Sequence, residues 1–125
     1  MQIITKTKNI ELTEQLQNFI NKKIGPLKKF LAAFENHELQ LTEGRDLFDT
    51  FVELKRDTIH HNKGDIFSTE IKIYLPGKNV FASAKGADIM KTIIEARDEI
   101  EGEIRKYKSK VVEFPRRKAK QSKNK

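Results

Sequence analysis

Residues 66–75 alternate without a break. Phe67, Thr69, Ile71, Ile73 and Leu75 fall on one side, and Ser68, Glu70, Lys72 and Tyr74 on the other. A period of two predicts a strand with one covered face. Pro76-Gly77 is a tight-turn pair, and Asn79 to Ala84 supplies the returning arm of a hairpin. Residues 2–7 (QIITKT) are short and rich in β-branched types, which predicts a first strand, and Phe51 to Lys55 predicts another.

The period changes to three and four in two places. Apolar residues at 16, 19, 20, 24, 27, 30, 31 and 34 form one helical face, with Thr13 as N-cap and Glu14 in the first turn. Gly25-Pro26 interrupts that helix, because proline has no N–H to donate and its ring crowds the preceding turn. The expectation is a kink, or a break and restart, with both pieces facing one core. The last helix opens at Asp88 and keeps its spacing through Ile89, Ile93, Ala96, Ile100, Ile104, Tyr107 and Val111. Pro115 ends it. Residues 35–50 give no clear period, and Asp57 to Asp65 reads as a polar loop.

The order is therefore β, α, two or three β, then α. One antiparallel-dominated sheet with both helices on a single face makes an α+β domain. With 125 residues, the chain fits one domain, and no internal repeat is visible. The reading divides it into a domain at 1–112 and a flexible basic tail at 113–125.

Charge sharpens this division. The net charge is +7, from 25 Lys+Arg and 18 Asp+Glu. Residues 115–125 hold six bases, Arg116, Arg117, Lys118, Lys120, Lys123 and Lys125, and no acid. The remaining 114 residues hold 19 bases against 18 acids. The body is thus nearly neutral, and any affinity for a polyanion must come from local clusters. Two stand out. Lys22, Lys23, Lys28 and Lys29 lie in a stretch from Gln15 to Phe34 without an acid. Arg105, Lys106, Lys108 and Lys110 crowd the end of the last helix. Favourable dipole charge at helix C-termini explains part of this pattern. Side by side, the two clusters would make a stripe suited to RNA phosphates. Residues 35–53 hold six acids and one base, Arg45, and are expected to face away from nucleic acid.

Other chemistry is thin. The absence of cysteine excludes disulfides, zinc ribbons and thiol catalysis. No apolar run approaches the about 20 residues of a membrane span, and no secretory signal pattern opens the chain. A cytoplasmic protein is expected. The pair His60-His61 has no carboxylate or thiol at ligand spacing, so no metal is expected. Glu99 and Glu103 sit at i, i+4 and read as the solvent face of a helix rather than an acid–base pair. No catalytic residues, cofactor or small-molecule substrate are expected. The eight Phe and two Tyr fall mostly on apolar faces, which favours core roles over base stacking.

The run Ala82-Ser83-Ala84-Lys85-Gly86-Ala87-Asp88-Ile89-Met90 is followed in register by Ile93, Ile100, Ile104, Lys106, Lys108 and Lys110. It resembles the ribosome hibernation promoting factor and ribosome-associated inhibitor family, the ribosomal subunit interface proteins. The N-terminal half is similar too: Glu11-Leu12-Thr13, then Leu16, Phe19, Lys23, Ile24, Leu27 and Phe30. The chain departs from the family pattern in its longer 36–50 segment, in Gly25-Pro26 and in the acids from Asp98 to Glu103. The resemblance implies a β-α-β-β-β-α fold like that of a double-stranded-RNA-binding domain. It implies a monomer that binds the small subunit of the 70S ribosome through 16S rRNA near the decoding centre, blocking mRNA and tRNA. The rRNA-binding residues expected from the basic clusters and the tail are Lys22, Lys23, Lys28, Lys29, Lys85, Lys91, Arg105, Lys106, Lys108, Lys110, Arg116, Arg117 and Lys118. With so short a tail, no separate dimerisation domain is expected. The alternatives are a non-ribosomal binder of structured RNA and a protein adaptor using the acidic 35–53 segment.

Overall fold

The structure is a computed structural model that describes residues 2–35, 48–57, 64 and 66–113. Four strands form one sheet in the order β1-β2-β3-β4: β1 (Ile3–Lys8), β2 (Thr50–Asp57), β3 (Ile66–Leu75) and β4 (Lys78–Gly86). β1 pairs parallel to β2, and the other two pairings are antiparallel. A parallel pair needs a crossover between its strands. Here α1 (Glu14–Ile24) and α2 (Lys28–Glu35) lie in that connection, and α3 (Ile89–Lys108) follows β4. The fold is α+β, as the alternating and helical periods predict, with a mixed sheet because of β1.

Two devices start the helices where the sequence predicts. Thr13 accepts the Leu16 N–H at 3.1 Å, and Asp88 accepts the Met90 N–H at 2.9 Å. At Gly25-Pro26 the helix breaks and restarts: residues Gly25–Leu27 form a 3-10 turn between α1 and α2. The Gly25 N–H still reaches Asn21 O, and the Lys28 N–H reaches Gly25 O and Pro26 O. Little hydrogen bonding is lost across the break. Leu16, Ile20, Ile24, Leu27, Leu31 and Phe34 all remain buried in the same core.

That core fills the space between the helices and one sheet face. Val52 and Leu54, Ile71, Ile73 and Leu75, and Val80 and Ala82 point into it, meeting Ile93, Ala96, Ile100 and Ile104 of α3. The core's polar residues are satisfied where α3 begins. The buried Thr92 hydroxyl donates to Ile89 O at 2.8 Å, which leaves its oxygen to accept from the Thr69 hydroxyl at 2.9 Å.

The other end of α3 is tied to the β3–β4 hairpin. Proline fixes φ at the first corner and Gly77 takes φ +79 at the second, the pattern of a type II turn. The Tyr107 hydroxyl donates to Pro76 O at 2.7 Å and lies 3.0 Å from where a Gly77 Cβ would stand. Beyond Lys108 the helix widens into a π-type turn, Ser109–Glu113. Phe48, which the sequence places in its least readable stretch, is buried at φ +70, and its N–H donates to Tyr74 O at 2.9 Å. Burial of the ring holds a backbone geometry that a bulky residue otherwise avoids. The expectations for residues 36–47, for His60-His61 and for the tail lie outside the described residues.

Candidate nucleic-acid interface

The helix dipole accounts for only some of the basic residues. Lys22 and Lys23 occupy the last turn of α1, and Arg105, Lys106 and Lys108 the last turn of α3, where cations are favoured. Lys28 and Lys29 occupy the first turn of α2, where the dipole gives a cation no benefit. Their charge needs another explanation.

The side chains supply one. The Arg105 guanidinium lies 4.9 Å from the centre of the Phe30 ring, and Lys29 Nζ lies 5.2 Å from the same ring. Phe30 is partly buried against the core, so its ring is a fixed floor for both cations. Lys29 of α2 and Arg105 of α3, 76 positions apart, thereby present their charges together. Lys23 Nζ sits 5.8 Å from the half-buried Phe19 ring in the same manner. Charges held over rings lose less freedom on meeting a phosphate than charges on bare surface stems.

A further cation joins this end. Lys78 Nζ lies 5.6 Å from the Tyr107 ring, which also stacks on Phe34 at 5.8 Å. Sequence reasoning missed Lys78, because nothing local links the hairpin turn to the last turn of α3. The acids of α3 are partly absorbed within the helix: Arg97 meets Asp98 at 2.9 Å and Glu101 at 3.5 Å, and Arg105 reaches Glu101 at 3.9 Å. Glu99 is exposed, as its reading as solvent face requires, and Glu103 is half-buried.

The candidates do not all converge. Lys106 is exposed and Lys108 half-buried on the same end of α3 as Arg105, and Lys110 is exposed in the turn that follows. Lys91 is exposed at the other end of that helix, about 21 Å from Arg105 at 1.5 Å per residue. Lys85 lies on β4 in alternation with the buried Val80 and Ala82, which puts it on the sheet face away from the helices. Glu53 lies on that face as well, in alternation with the buried Val52 and Leu54. Arg116, Arg117 and Lys118 lie outside the described residues.

One expectation needs correction. Phe51 and Phe81 are not core residues: they are 37% and 54% exposed on the open sheet face. The core takes Val52 and Val80 instead, since among the described residues only one face of the sheet is covered. Among the described residues no group of three or more metal-ligating side chains occurs, and no helix is long and apolar enough to cross a membrane.

Residues 3–112 match the family described as sigma 54 modulation protein / S30EA ribosomal protein. The chain belongs to this family. The match runs from the start of β1 through the basic end of α3, so both halves of the Lys29–Phe30–Arg105 arrangement fall inside it. The family is one of ribosome-associated proteins and not of enzymes. Two solved structures share the fold. A ribosomal subunit interface protein from Coxiella burnetii superposes with a TM-score of 0.63 at 16% identity, covering 87% of this chain and 99% of that one. The N-terminal domain of Thermus thermophilus Protein Y gives 0.60 at 21% identity, covering 86% and 99%. No curated protein sequence matches the chain.

Proposed function

We propose that this protein is a ribosome-binding translation inhibitor of the hibernation type. It docks on the small subunit near the decoding centre and occludes the sites of mRNA and tRNA. The domain at 1–112 acts as a monomeric plug in the cytoplasm, and the 113–125 tail adds salt-sensitive, non-specific affinity for rRNA. The observation that carries this reading is the bracket of Lys29 and Arg105 over Phe30 in a chain of this family. Point charges set on a rigid, partly buried floor suit the backbone of folded RNA, which is recognised by shape and phosphate spacing rather than by base edges. Lys22, Lys23, Lys28, Lys106, Lys108, Lys110 and Lys78 extend the same surface. Lys85 and Lys91 are peripheral to it.

Co-sedimentation with 30S and 70S particles on sucrose gradients tests this. The full chain is expected to travel with the particles at low salt. Its affinity should fall steeply as salt rises, because each phosphate contact releases counterions. The double variant Lys29→Glu/Arg105→Glu should lose about 100-fold in affinity, since two contacts become two repulsions. A chain ending at Phe114 should keep its preference for particles over bulk duplex RNA. Full binding by the charge-reversed protein at high salt would sink the proposal.

A further inference from the structure

Among the described residues nothing covers the face of the sheet away from the helices, and the strand registers lay it out in rows. Ile4 pairs with Phe51, Phe51 with Lys72, and Lys72 with Phe81, so these four side chains cross the sheet in one line. Ile4 is 36% exposed and, with Phe51 and Phe81, belongs to the larger apolar side chains that the protein leaves open to water. Tyr74 joins the row from one step along β3. Its ring meets Phe51 edge to face at 5.5 Å, and Lys72 Nζ lies 5.0 Å from it. The next row is Lys6, Glu53, Glu70 and Ser83, and the one after is Lys8, Lys55, Ser68 and Lys85.

Charge and ring placement decide what this face fits. It carries five lysines, Lys6, Lys8, Lys55, Lys72 and Lys85, against Glu53, Glu70 and Asp57. Lys55 Nζ meets Glu53 at 3.4 Å and Glu70 at 3.9 Å. The face as a whole is cationic. A second copy of the chain would bring the same charge against it. A protein partner would have to bury the Lys–Glu rows beside the rings, whereas interface cores are depleted of charge. A polyanion with flat apolar groups fits both features at once. Phe51 and Phe81 stand two strands apart, about 9.6 Å at 4.8 Å per strand. Stacked bases in a duplex repeat every ~3.4 Å and hide their faces. Rings so spaced can each take the face of one splayed base, while the lysines between and beyond them follow the backbone.

We propose that this open sheet face is a second nucleic-acid site, which binds an unpaired RNA strand by stacking bases on Phe51 and Phe81. Lys72, with Lys6, Lys8 and Lys85 around it, holds the phosphates. The site is distinct from the helix-end surface of Lys29 and Arg105 and does not depend on docking at the decoding centre.

Fluorescence anisotropy with the full chain and a labelled single-stranded oligouridine octamer tests it, with an RNA hairpin of equal length as competitor. The double variant Phe51→Val/Phe81→Val keeps β-forming side chains and removes both rings. It should bind the octamer about 25-fold more weakly or worse, at about 5-fold or more per ring. The slope of affinity against salt should stay unchanged, because stacking releases no counterions. Phe81→Trp should restore or strengthen binding, and the hairpin should compete poorly. Equal octamer binding with both rings removed would overturn the proposal and assign that binding to the tail or the helix ends. So would a concentration-dependent dimer, seen by sedimentation velocity in the parent and lost in the variant. Ribosome co-sedimentation of the same variant reads the helix-end proposal separately: its retention leaves that proposal standing whatever the octamer shows.

Discussion

The protein combines lysines with aromatic rings in two regions, and it combines them in opposite ways. At the end of the helical layer, Phe30 and Phe19 are partly buried, and the cations lie on top of them. On the open sheet face the rings of Phe51 and Phe81 are themselves exposed, and the cations stand beside them. In the first arrangement the ring organises charge and a ligand meets only the charge. In the second the ligand meets the ring. The difference teaches that counting aromatic residues among basic ones does not identify a stacking surface. What matters is which partner covers the ring.

The sharpest way to break this comparison within the helical layer is Phe30→Leu. Leucine keeps the packing volume against the core and removes the π face. If Phe30 acts by holding Lys29 and Arg105, each released cation forfeits about 0.5–1 kcal/mol of ring attraction and must be ordered again on binding. Affinity for 30S particles should then fall by roughly 5- to 30-fold, for a total of about 1–2 kcal/mol. The salt slope should not move, because both charges remain. A fallen slope would mean that a phosphate contact had been lost outright, and the floor would be no floor.

A smaller effect is expected where the two regions meet through the hairpin. Tyr107 links α3 to the β3–β4 turn through its bond to Pro76 O and stacks on Phe34. Tyr107→Phe keeps the stack and removes the bond, which should cost about 1 kcal/mol of stability. Urea denaturation should show a lower midpoint at unchanged m. If the hairpin is held by this bond, Lys78, which lies over the same ring, should lose its place at this end of α3, and ribosome affinity should fall slightly more than stability alone explains.

Much of this was legible in the chain. The alternation of 66–75 and the long period of α3 follow directly from residue spacing, and the caps at Thr13 and Asp88 stand where their chemistry requires. Pro26 predicts a kink or a break with one apolar face kept, and the chain takes the break, through a 3-10 turn that keeps that face in the core. The two basic helix segments were also visible. The contact between them was not, because Phe30 and Arg105 meet only through the packing of α2 on α3. The outward rings are legible only by phase. Phe51 alternates with Val52 and Leu54 and shares its side with Glu53 and Lys55, and Phe81 shares its side with Ser83 and Lys85. Assigning large aromatic residues to the core by type alone therefore misplaces both. The fold follows the phase: α3 packs directly on β4, with Ala82 buried and Ala84 partly so, and the bulky Phe81 takes the open side.

That choice gives the smallest expected effect and the most telling one for the comparison. Phe34 is 2% exposed and Phe81 is 54% exposed. Removing a buried phenyl ring costs about 3–5 kcal/mol, through lost transfer energy and the cavity left behind. Phe81→Val should cost within about 0.5 kcal/mol, because the ring leaves little packing and valine suits a strand. Thermal unfolding of the two single variants, Phe34→Ala and Phe81→Val, therefore separates a ring kept for the core from one that the core does not use. A large loss at Phe81 would show that the ring supports the sheet, and its exposure would then say nothing about a ligand. A loss near zero leaves a large apolar side chain in water at no benefit to the fold. The functional explanation then rests on the octamer measurement alone.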